Sequence, residues 1–276
     1  LEAIINQIDD PSIGLQYFYI KANANPLGSK EKLDFANDKS SYSQIHKRYH
    51  PVIRNFLEKF GYYDIFLVHP DTGTIVYSVF KELDFATSLK TGPYSSTNFA
   101  DVYTKANTSN SPEMVAFSDL KPYFPSYEAP AGFVASPIFR GNDKIGVLVF
   151  QFPLDNLNRI MTERSGMGQS GETYLIGEDM LMRSDSFLDP DNHSVVASFK
   201  NPEKGKVDTE AARQAIKGEE NEKIIIDYNG NPVLSAYTPL KFEGLNWALL
   251  AEIDEAEAFA AVNRLKIIAM VVAVVG

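Results

Sequence analysis

The sequence predicts an α+β fold built from two similar modules, because one strand pattern occurs twice. Residues 64–80 and 133–161 read as strands, the second stretch leading into a helix, and residues 173–187 and 234–262 repeat that order. Alternation of apolar and polar residues is typical of antiparallel strands, and helices packed on such sheets give the α+β class. The 276 residues, 44% of them hydrophobic, can bury a core in each module.

The first elements are helical. Residues 1–22 are predicted to form a helix, and residues 23–34 a loop rich in Asn, Pro and Gly. A second helix is predicted from Ser41 to Gly61, with a capping box between Ser41 and Gln44 and a kink at Pro51. Its apolar residues recur every three or four positions and predict one buried stripe, formed by Ile45, Tyr49, Val52, Ile53, Phe56 and Phe60.

The two modules follow in the same order of elements. The first has a tight turn at 69–73 between two strands, a helix near 97–106, strands at 114–118, 131–139 and 145–152, and a helix at 154–165. The second has a strand pair at 172–184, a helix at 209–217, and strands at 222–228, 232–240 and 246–253. Asp254 is expected to cap the exit helix, with Glu257 completing a capping box. The predicted regions are therefore 1–60, 61–160, 161–258 and 259–276.

The C-terminal stretch from Ile267 to Gly276 is uniformly apolar. It is too short to cross a bilayer, which takes about 20 residues. One interpretation is a buried C-terminal helix, and the other is the start of a transmembrane helix. Arg264 and Lys266 precede the apolar run and favour the second interpretation.

Composition excludes several kinds of site. The chain has no cysteine, which excludes disulfides, thiolate metal sites and cysteine nucleophiles. Its net charge is −10 and its Lys and Arg residues are scattered, which argues against a nucleic-acid partner. We expect no bound cofactor.

Three short motifs invite an enzymatic interpretation, and each has a simpler one. Residues 166–171 match GxGxxG, but they follow a helix and precede a strand, the reverse of a dinucleotide site, so they are expected to link the modules. The triplet at Asp71 resembles an aspartic-protease turn without a second carboxylate, and a hairpin turn explains it. His46 and His50 have a zinc-compatible spacing but no third ligand, so a surface or packing role is expected.

The segment 92–139 has the best claim to ligand binding. It places polar groups among phenylalanines, a combination that builds pockets for small polar molecules, although ordinary strand and loop polarity is the alternative for each residue. Asp119 could hold an ammonium group. The candidate ligand-binding residues are Tyr77, Tyr94, Ser95, Asp119, Tyr123, Ser126 and Ser136.

Several stretches carry a family resemblance. They are "FGYYDIFLVHPDTGTIVYSVFKELDF", "GPYSSTNFADVY", "FPSYEAPAGFVASPIF", "SGMGQSGETYLIGEDMLMRSDS" and "GLNWALLAEIDEAEAF". Through them, residues from about 1 to 262 resemble a bacterial double Cache domain, a tandem PAS-like sensory domain of chemoreceptors, sensor histidine kinases and diguanylate cyclases. The resemblance implies a long N-terminal helix, a membrane-distal and a membrane-proximal PAS-like module with antiparallel sheets, and the start of a transmembrane helix.

The resemblance also implies a function. A small-molecule ligand would occupy the distal module of a receptor that performs no catalysis, on the extracytoplasmic side of the bacterial inner membrane. Flanking helices would attach it to the membrane. From the residues themselves, helix 1–22 could pair in a homodimer, although packing against its own modules explains the same residues equally well; they are Ile4, Ile5, Ile8, Leu15 and Phe18. Many such domains bind amino acids through a pattern that includes Arg and Trp-Tyr, whereas here the single Trp is Trp247 and neither Arg48 nor Arg54 precedes Trp-Tyr. The ligand class therefore stays open. The alternatives are a docking module for a periplasmic binding protein, a structural spacer, and a hydrolase that uses Asp71.

Overall fold

A computed structural model describes residues 10–275 of the chain. The chain divides into two compact units, residues 1–154 (unit 1) and 155–276 (unit 2). Each unit contains one antiparallel sheet, so the α+β class predicted from the repeated strand pattern is confirmed.

Unit 1 is a five-stranded sheet with helices on both faces. The strand order is β2-β1-β5-β4-β3, and all neighbours are antiparallel. A π-helical turn at Tyr17–Lys21 follows α1, and short 3₁₀ turns lie at Lys30–Lys32 and Phe124–Ser126. The main elements are α1 (Asp10–Gln16), α2 (Ser41–Phe60), β1 (Ile65–Val68), β2 (Ile75–Ser78), α3 (Asn98–Thr108), β3 (Ala116–Pro122), β4 (Pro130–Arg140) and β5 (Asp143–Gln151).

Strand alternation divides the core of unit 1 between the two faces of the sheet. On β1, Phe66 packs in the core cluster that includes Phe99 of α3, whereas its neighbour Ile65 packs in the cluster that includes Leu57 of α2. Successive side chains of a strand point to opposite faces, so β1, β2 and β5 supply residues to both clusters. A side chain's position along its strand therefore decides which helix it meets.

Helix α2 differs from its prediction in three respects. It runs unbroken through Pro51, and its N-cap is Ser40, whose side chain accepts a hydrogen bond from Ser43 N, rather than Ser41. The predicted buried stripe is wrong, because five of its six side chains are exposed and only Ile53 packs against the core. The buried side chains of α2 are Ser43, His46, His50 and Leu57. Polar residues with local bonding partners therefore face the core, which apolar periodicity alone does not indicate.

The predicted N-terminal helix is described from Asp10, and its residues Ile4, Ile5 and Ile8 lie outside the described part of the chain. Leu15, one of the residues expected to pair between subunits, packs against a buried cluster of unit 1 that contains Tyr19 and Phe85.

Unit 2 is a four-stranded antiparallel sheet in the order β6-β9-β8-β7. The predicted strand pair at 172–184 is wrong in its second half, since only an isolated bridge joins Met182 to Ile176. Three short helices between 190 and 205 were not predicted. The elements are α4 (Leu154–Met161), β6 (Glu172–Gly177), α5 (Pro190–His193), α6 (Val195–Lys200), α7 (Pro202–Gly205), α8 (Glu210–Ile216), β7 (Asn221–Ile226), β8 (Pro232–Phe242), β9 (Leu245–Asp254), α9 (Glu255–Ala258) and α10 (Ala260–Val275).

Strand β9 continues directly into helix α9, as predicted, but the junction is held differently. Asp254 makes no side-chain cap. Glu257 instead accepts hydrogen bonds from the backbone N–H groups of Gln169 and Ser170, each at 2.8 Å. The predicted capping box is therefore wrong, and Glu257 ties the glycine-rich segment at 166–171 to the start of the exit helix.

Helix α10 does not pack as a buried helix. Its apolar side chains between Val262 and Val272 are 45–66% exposed, so the interpretation of a buried C-terminal helix is wrong. Within residues 10–275, no helix reaches both the length and the hydropathy needed to cross a membrane. The start of a transmembrane helix stays a prediction.

Candidate functional site

Unit 1 contains a cavity of about 390 Å³. This volume lies in the range of small-molecule pockets, about 300–1,000 Å³. Three segments form it: the N-terminal segment, the loop after β2 and the loop after β3. The lining residues are Ile20, Leu27, Gly28, Lys30, Phe80, Lys81, Glu82, Leu83, Phe124, Pro125, Tyr127 and Glu128.

A buried carboxylate fixes the loop after β2. Asp64 is fully buried, and its Oδ1 accepts hydrogen bonds from Ile65 N at 2.6 Å and Val79 N at 2.8 Å. Its Oδ2 accepts from Ser78 Oγ at 2.8 Å. Burial raises the pKa of Asp64, whereas these donors act in the opposite direction. The carboxylate therefore holds the chain that leads to residues 80–83 of the cavity wall.

Lys81 follows this anchor in a strained conformation. Its φ is +58°, in the left-handed region, and its side chain is 2% exposed. Its Nζ donates to Ser78 O and lies 4.4 Å from the ring centre of Tyr77 and 5.2 Å from that of Phe85. Burial lowers the pKa of Lys81, and the neighbouring carboxylate of Asp64 opposes that effect. The amine of Lys81 is thus held by the backbone carbonyl of Ser78 and by the neighbouring aromatic rings.

The aromatic surroundings of Lys81 extend to α2. His50 Nε2 lies 2.6 Å from Glu31 O, which can only accept, so Nε2 carries the proton and Nδ1 accepts from Tyr77 OH at 2.7 Å. The ring of His46 stacks on that of His50, with 4.2 Å between the ring centres. Burial, together with the charge of Lys81, lowers the pKa of both histidines, which are therefore neutral near pH 7. The two histidines have the packing role expected for them.

Glu82 connects the cavity to a polar network behind it. Its Oε1 accepts from Tyr63 OH at 2.9 Å, and its Oε2 accepts from Ser126 Oγ at 3.1 Å. Gln151 Nε2 in turn donates to Ser126 Oγ at 3.1 Å. Burial and the nearby carboxylate of Asp84 raise the pKa of Glu82 to about 8. Glu82 is therefore mostly protonated at pH 7 and ionises as the pH rises through about 8.

Asp84 is the buried end of this acidic network. Its Oδ2 accepts from Tyr123 OH at 2.7 Å, and burial raises its pKa to about 7. Within residues 10–275, Asp84 Oδ1 and Gln151 Oε1 are buried without a hydrogen-bond donor. In unit 2, by contrast, Tyr228 OH and Ser186 Oγ each donate to one oxygen of the buried Glu172. A buried acceptor without a donor is costly and marks a position for a missing partner.

The cavity offers negative charge to a ligand when Glu82 is ionised, which happens as the pH rises through about 8. Lys30 Nζ donates to Asn23 O at 2.7 Å and to Asn25 O at 2.6 Å, and Lys81 is held as described. Glu82 is half-buried at the wall. Phe124 and Tyr127 are 60% and 63% exposed at the rim. A carboxylate beside aromatic rings is a suitable environment for an organic cation.

Two of the seven residues predicted from sequence belong to the acidic network. Tyr123 and Ser126 bond to Asp84 and Glu82, and Tyr94 lies next to them, its ring centre 6.1 Å from that of Tyr123. Residues on both sides of Ser126 line the cavity. Tyr94, Tyr123 and Ser126 therefore lie behind the wall of the cavity.

The other four predicted residues lie elsewhere in unit 1. Tyr77 is on the α2 face of the sheet, bonded to His50, and Ser136 pairs with Leu148 on β5. Ser95 is exposed in the turn before α3, and Asp119 Oδ1 accepts a hydrogen bond from Leu120 N at 2.7 Å. The structure thus does not gather the seven residues around one cavity.

Sequence reasoning missed Glu82, Asp84 and Gln151. Glu82 and Asp84 stand in the charged stretch Lys81-Glu82-Leu83-Asp84, which on its own reads as a solvated turn. Burial of Asp84 depends on Tyr123, which is distant in sequence. The sequence signal that could have indicated this site is a charged run directly after a strand and next to aromatic residues.

The comparisons with known proteins identify the family. The sequence model of the Cache domain family matches residues 16–262. The chain belongs to the Cache domain family. The resemblance seen in the sequence is therefore confirmed, and no curated protein matches the chain.

Solved structures of sensory domains are similar to this Cache domain. The periplasmic sensory domain of the Campylobacter jejuni chemoreceptor Tlp1 is 17% identical, with a TM-score of 0.52 over 94% of this chain and 90% of that one. The Pseudomonas aeruginosa chemoreceptor PctC, bound to GABA, is 13% identical, with a TM-score of 0.46 over 92% and 97%. The extracellular domain of the histidine kinase vpHK1S-Z8 is 15% identical, with a TM-score of 0.48 over 88% and 86%. The Tlp1 likeness shows a shared fold, and the family assignment agrees with the predicted sensory role.

Proposed function

We propose that this Cache domain is the extracytoplasmic sensing domain of a bacterial membrane receptor, and that unit 1 binds a small molecule with a positively charged group. The cavity beside Glu82 is the observation that carries the proposal. Its volume suits a small molecule, its rim is aromatic, and its wall includes the ionisable residue Glu82. Both lysines in its wall are held by the chain's own acceptors.

The positively charged group of the proposed ligand would offset the negative charge of the acidic network. An ammonium beside Glu82 favours the ionised carboxylate, and it reduces the repulsion between Glu82 and Asp84 that helps to raise the pKa of Glu82. A neutral or anionic ligand would leave that repulsion in place. The cavity therefore selects for positive charge.

Signalling requires that the ligand distinguish two conformations, because binding shifts an equilibrium only by its differential affinity. The segment that would respond is the loop after β2, where Lys81 connects the cavity wall to Tyr77 and thereby to α2. In unit 2, β9 runs into α9 without a linker. Displacement of β9 would therefore be transmitted to the exit helix with little loss.

The pH dependence of binding tests the charge of the ligand. A panel of amines, amino acids, carboxylates and neutral sugars is titrated calorimetrically at pH 6, 7, 8 and 9. For a cation that binds ionised Glu82, the association constant should rise by up to about tenfold per pH unit below pH 8 and then level off. Glu82→Gln should abolish this rise and weaken binding at least tenfold.

Glu113→Gln is the matched control, because Glu113 is an exposed carboxylate of unit 1 outside the cavity. This variant should bind as the wild type does. Binding that strengthens as the pH falls, or Glu82→Gln with unchanged affinity, would contradict the proposal. If no small molecule binds while a periplasmic binding protein does, the docking alternative replaces it. The hydrolase alternative gains no support, since Asp71 is exposed in the turn between β1 and β2.

A further inference from the structure

A cavity of about 360 Å³ lies beside the exit helix of unit 2, which α9 and α10 form together. One wall comes from Ile224 of β7 and Pro232 of β8, and the helix supplies the other. Backbone hydrogen bonds from residue 259 to 255 and from residue 263 to 259 carry the helical pattern across the junction of α9 and α10. Four lining residues therefore share one face of the helix, at steps of four, four and three. They are Glu255, Phe259, Asn263 and Lys266.

The fold does not use the polar side chains of this cavity. In the described part of the chain, the side chains of Glu255, Asn263 and Lys266 have no hydrogen-bond or ion-pair partner. Glu257, in the same turn as Glu255, is by contrast bonded to the glycine-rich segment. Asn263 and Lys266 are three residues apart and therefore neighbours on the helix surface. Their amide and ammonium groups can donate together to one oxyanion, such as a phosphate.

We propose that this cavity binds the headgroup of a phospholipid, with the phosphate held by Asn263 and Lys266. The inference rests on the proposed function, in which the exit helix leads to a membrane. The residues after Lys266 favour a lipid over a free phosphate. Residues 267–275 include no charged side chain, and Ile267, Met270 and Val271 are 56–65% exposed. Met270 follows Lys266 by four residues on the same face, so the acyl chains of a lipid bound at Lys266 would lie against apolar side chains.

Glu255 selects among headgroups. It lies at the end of the cavity farther from the apolar residues, eleven residues before Lys266. Its carboxylate attracts a headgroup that ends in a cation and repels one that ends in a second anion. A primary ammonium group can also donate hydrogen bonds to it, whereas the trimethylammonium group of phosphatidylcholine has no N–H. Phosphatidylethanolamine therefore suits both ends of the cavity.

Vesicle flotation tests the site with the chain as it stands. The chain is mixed with vesicles of phosphatidylcholine alone, or with vesicles of equal parts phosphatidylcholine and phosphatidylethanolamine. Binding to the second kind should be about tenfold tighter. Lys266→Ala should remove this preference, and Glu255→Gln should reduce it. Arg264→Ala is the matched control and should keep it, because Arg264 carries the same charge about 200° around the same helix and does not line the cavity. Trp247 fluorescence checks that unit 2 of each variant is folded.

The variants and lipids together decide the outcome. Equal losses from Lys266→Ala and Arg264→Ala would indicate only a general attraction of cations to the bilayer and would overturn the site. Tighter binding to vesicles that contain phosphatidylglycerol instead of phosphatidylethanolamine would overturn the choice of headgroup. Soluble phosphoethanolamine lacks acyl chains, and if it binds as tightly as the vesicles do, a free phosphate compound replaces the lipid.

This inference and the proposed ligand site in unit 1 fail separately. If the chain binds none of these vesicles while unit 1 still binds its cation through Glu82, only the lipid site is overturned. If the Glu82 titration fails while the preference for phosphatidylethanolamine still depends on Lys266, the lipid site is supported and only the ligand of unit 1 is in error.

Discussion

Replacing Asp84 by Asn should make the stability of unit 1 less dependent on pH. Burial raises the pKa of Asp84 to about 7, above its ordinary value of 3.8. The folded protein therefore binds more protons than the unfolded chain between these two values. Stability is lost as the pH rises through that window, and the full loss is present above pH 7.

The size of this loss of stability follows from the shift in the pKa of Asp84. Between pH 5 and pH 8 the ionisation of Asp84 should lower the free energy of unfolding by about 2–3 kcal/mol, at 1.36 kcal/mol per pKa unit. Asn does not ionise, so Asp84→Asn removes this contribution. The substitution also removes one cause of the raised pKa of Glu82, which acts in the same direction. The variant should gain stability relative to the wild type as the pH rises.

The assay is urea denaturation at pH 5 and pH 8, followed by circular dichroism. Trp247 is the only tryptophan and lies in unit 2, so its fluorescence reports the unit that the substitution does not touch. Asp101→Asn, at an exposed position on α3, is the control and should keep the wild-type difference between the two pH values. If Asp84→Asn also keeps that difference, the buried acidic network does not titrate near pH 7 and the reasoning is refuted.

Two further substitutions test the framework of each unit. Asp64→Ala should lower the stability of unit 1 by about 3 kcal/mol or more in urea denaturation, because Ile65 N and Ser78 Oγ lose their acceptor and Val79 N loses one of two. A loss below about 1 kcal/mol would contradict the anchoring role. Gly205→Ala should lower the stability of unit 2 by about 2–4 kcal/mol, monitored by Trp247 fluorescence, because a Cβ there would overlap the backbone of Ser198. Gly14→Ala, whose Cβ would meet no atom within 4 Å, is the control; it lies in unit 1, so its stability is followed by circular dichroism, and equal losses of stability from the two glycine substitutions would disprove the argument.

The fold was largely predictable because its strands follow simple periodicities. Strands β8 and β9 alternate and are joined by a short turn, so their bounds agree with the sequence to within a few residues. The short helices between 190 and 205 have too few residues to show a period. The stripe on α2 was assigned to the core because apolar spacing indicates that a face packs against something, but not against what.

The candidate site was predictable only in part, for an electrostatic reason. Tyr123 and Ser126 were identified from their aromatic and polar character. The carboxylates to which they bond, Asp84 and Glu82, read as a solvated turn, because burial of a charge is decided by residues distant in sequence. Asp119 looked equally suitable in the sequence, yet in the structure it bonds to its neighbouring backbone amide.

A ligand-bound crystal structure of this chain, with the amine that binds most tightly, would test the central claim most directly. The ammonium nitrogen should lie within about 3 Å of a carboxylate oxygen of Glu82, with the rest of the molecule between Phe124 and Tyr127. A ligand found beside Asp119, or in unit 2, would contradict the assignment of the cavity in unit 1 as the sensing site.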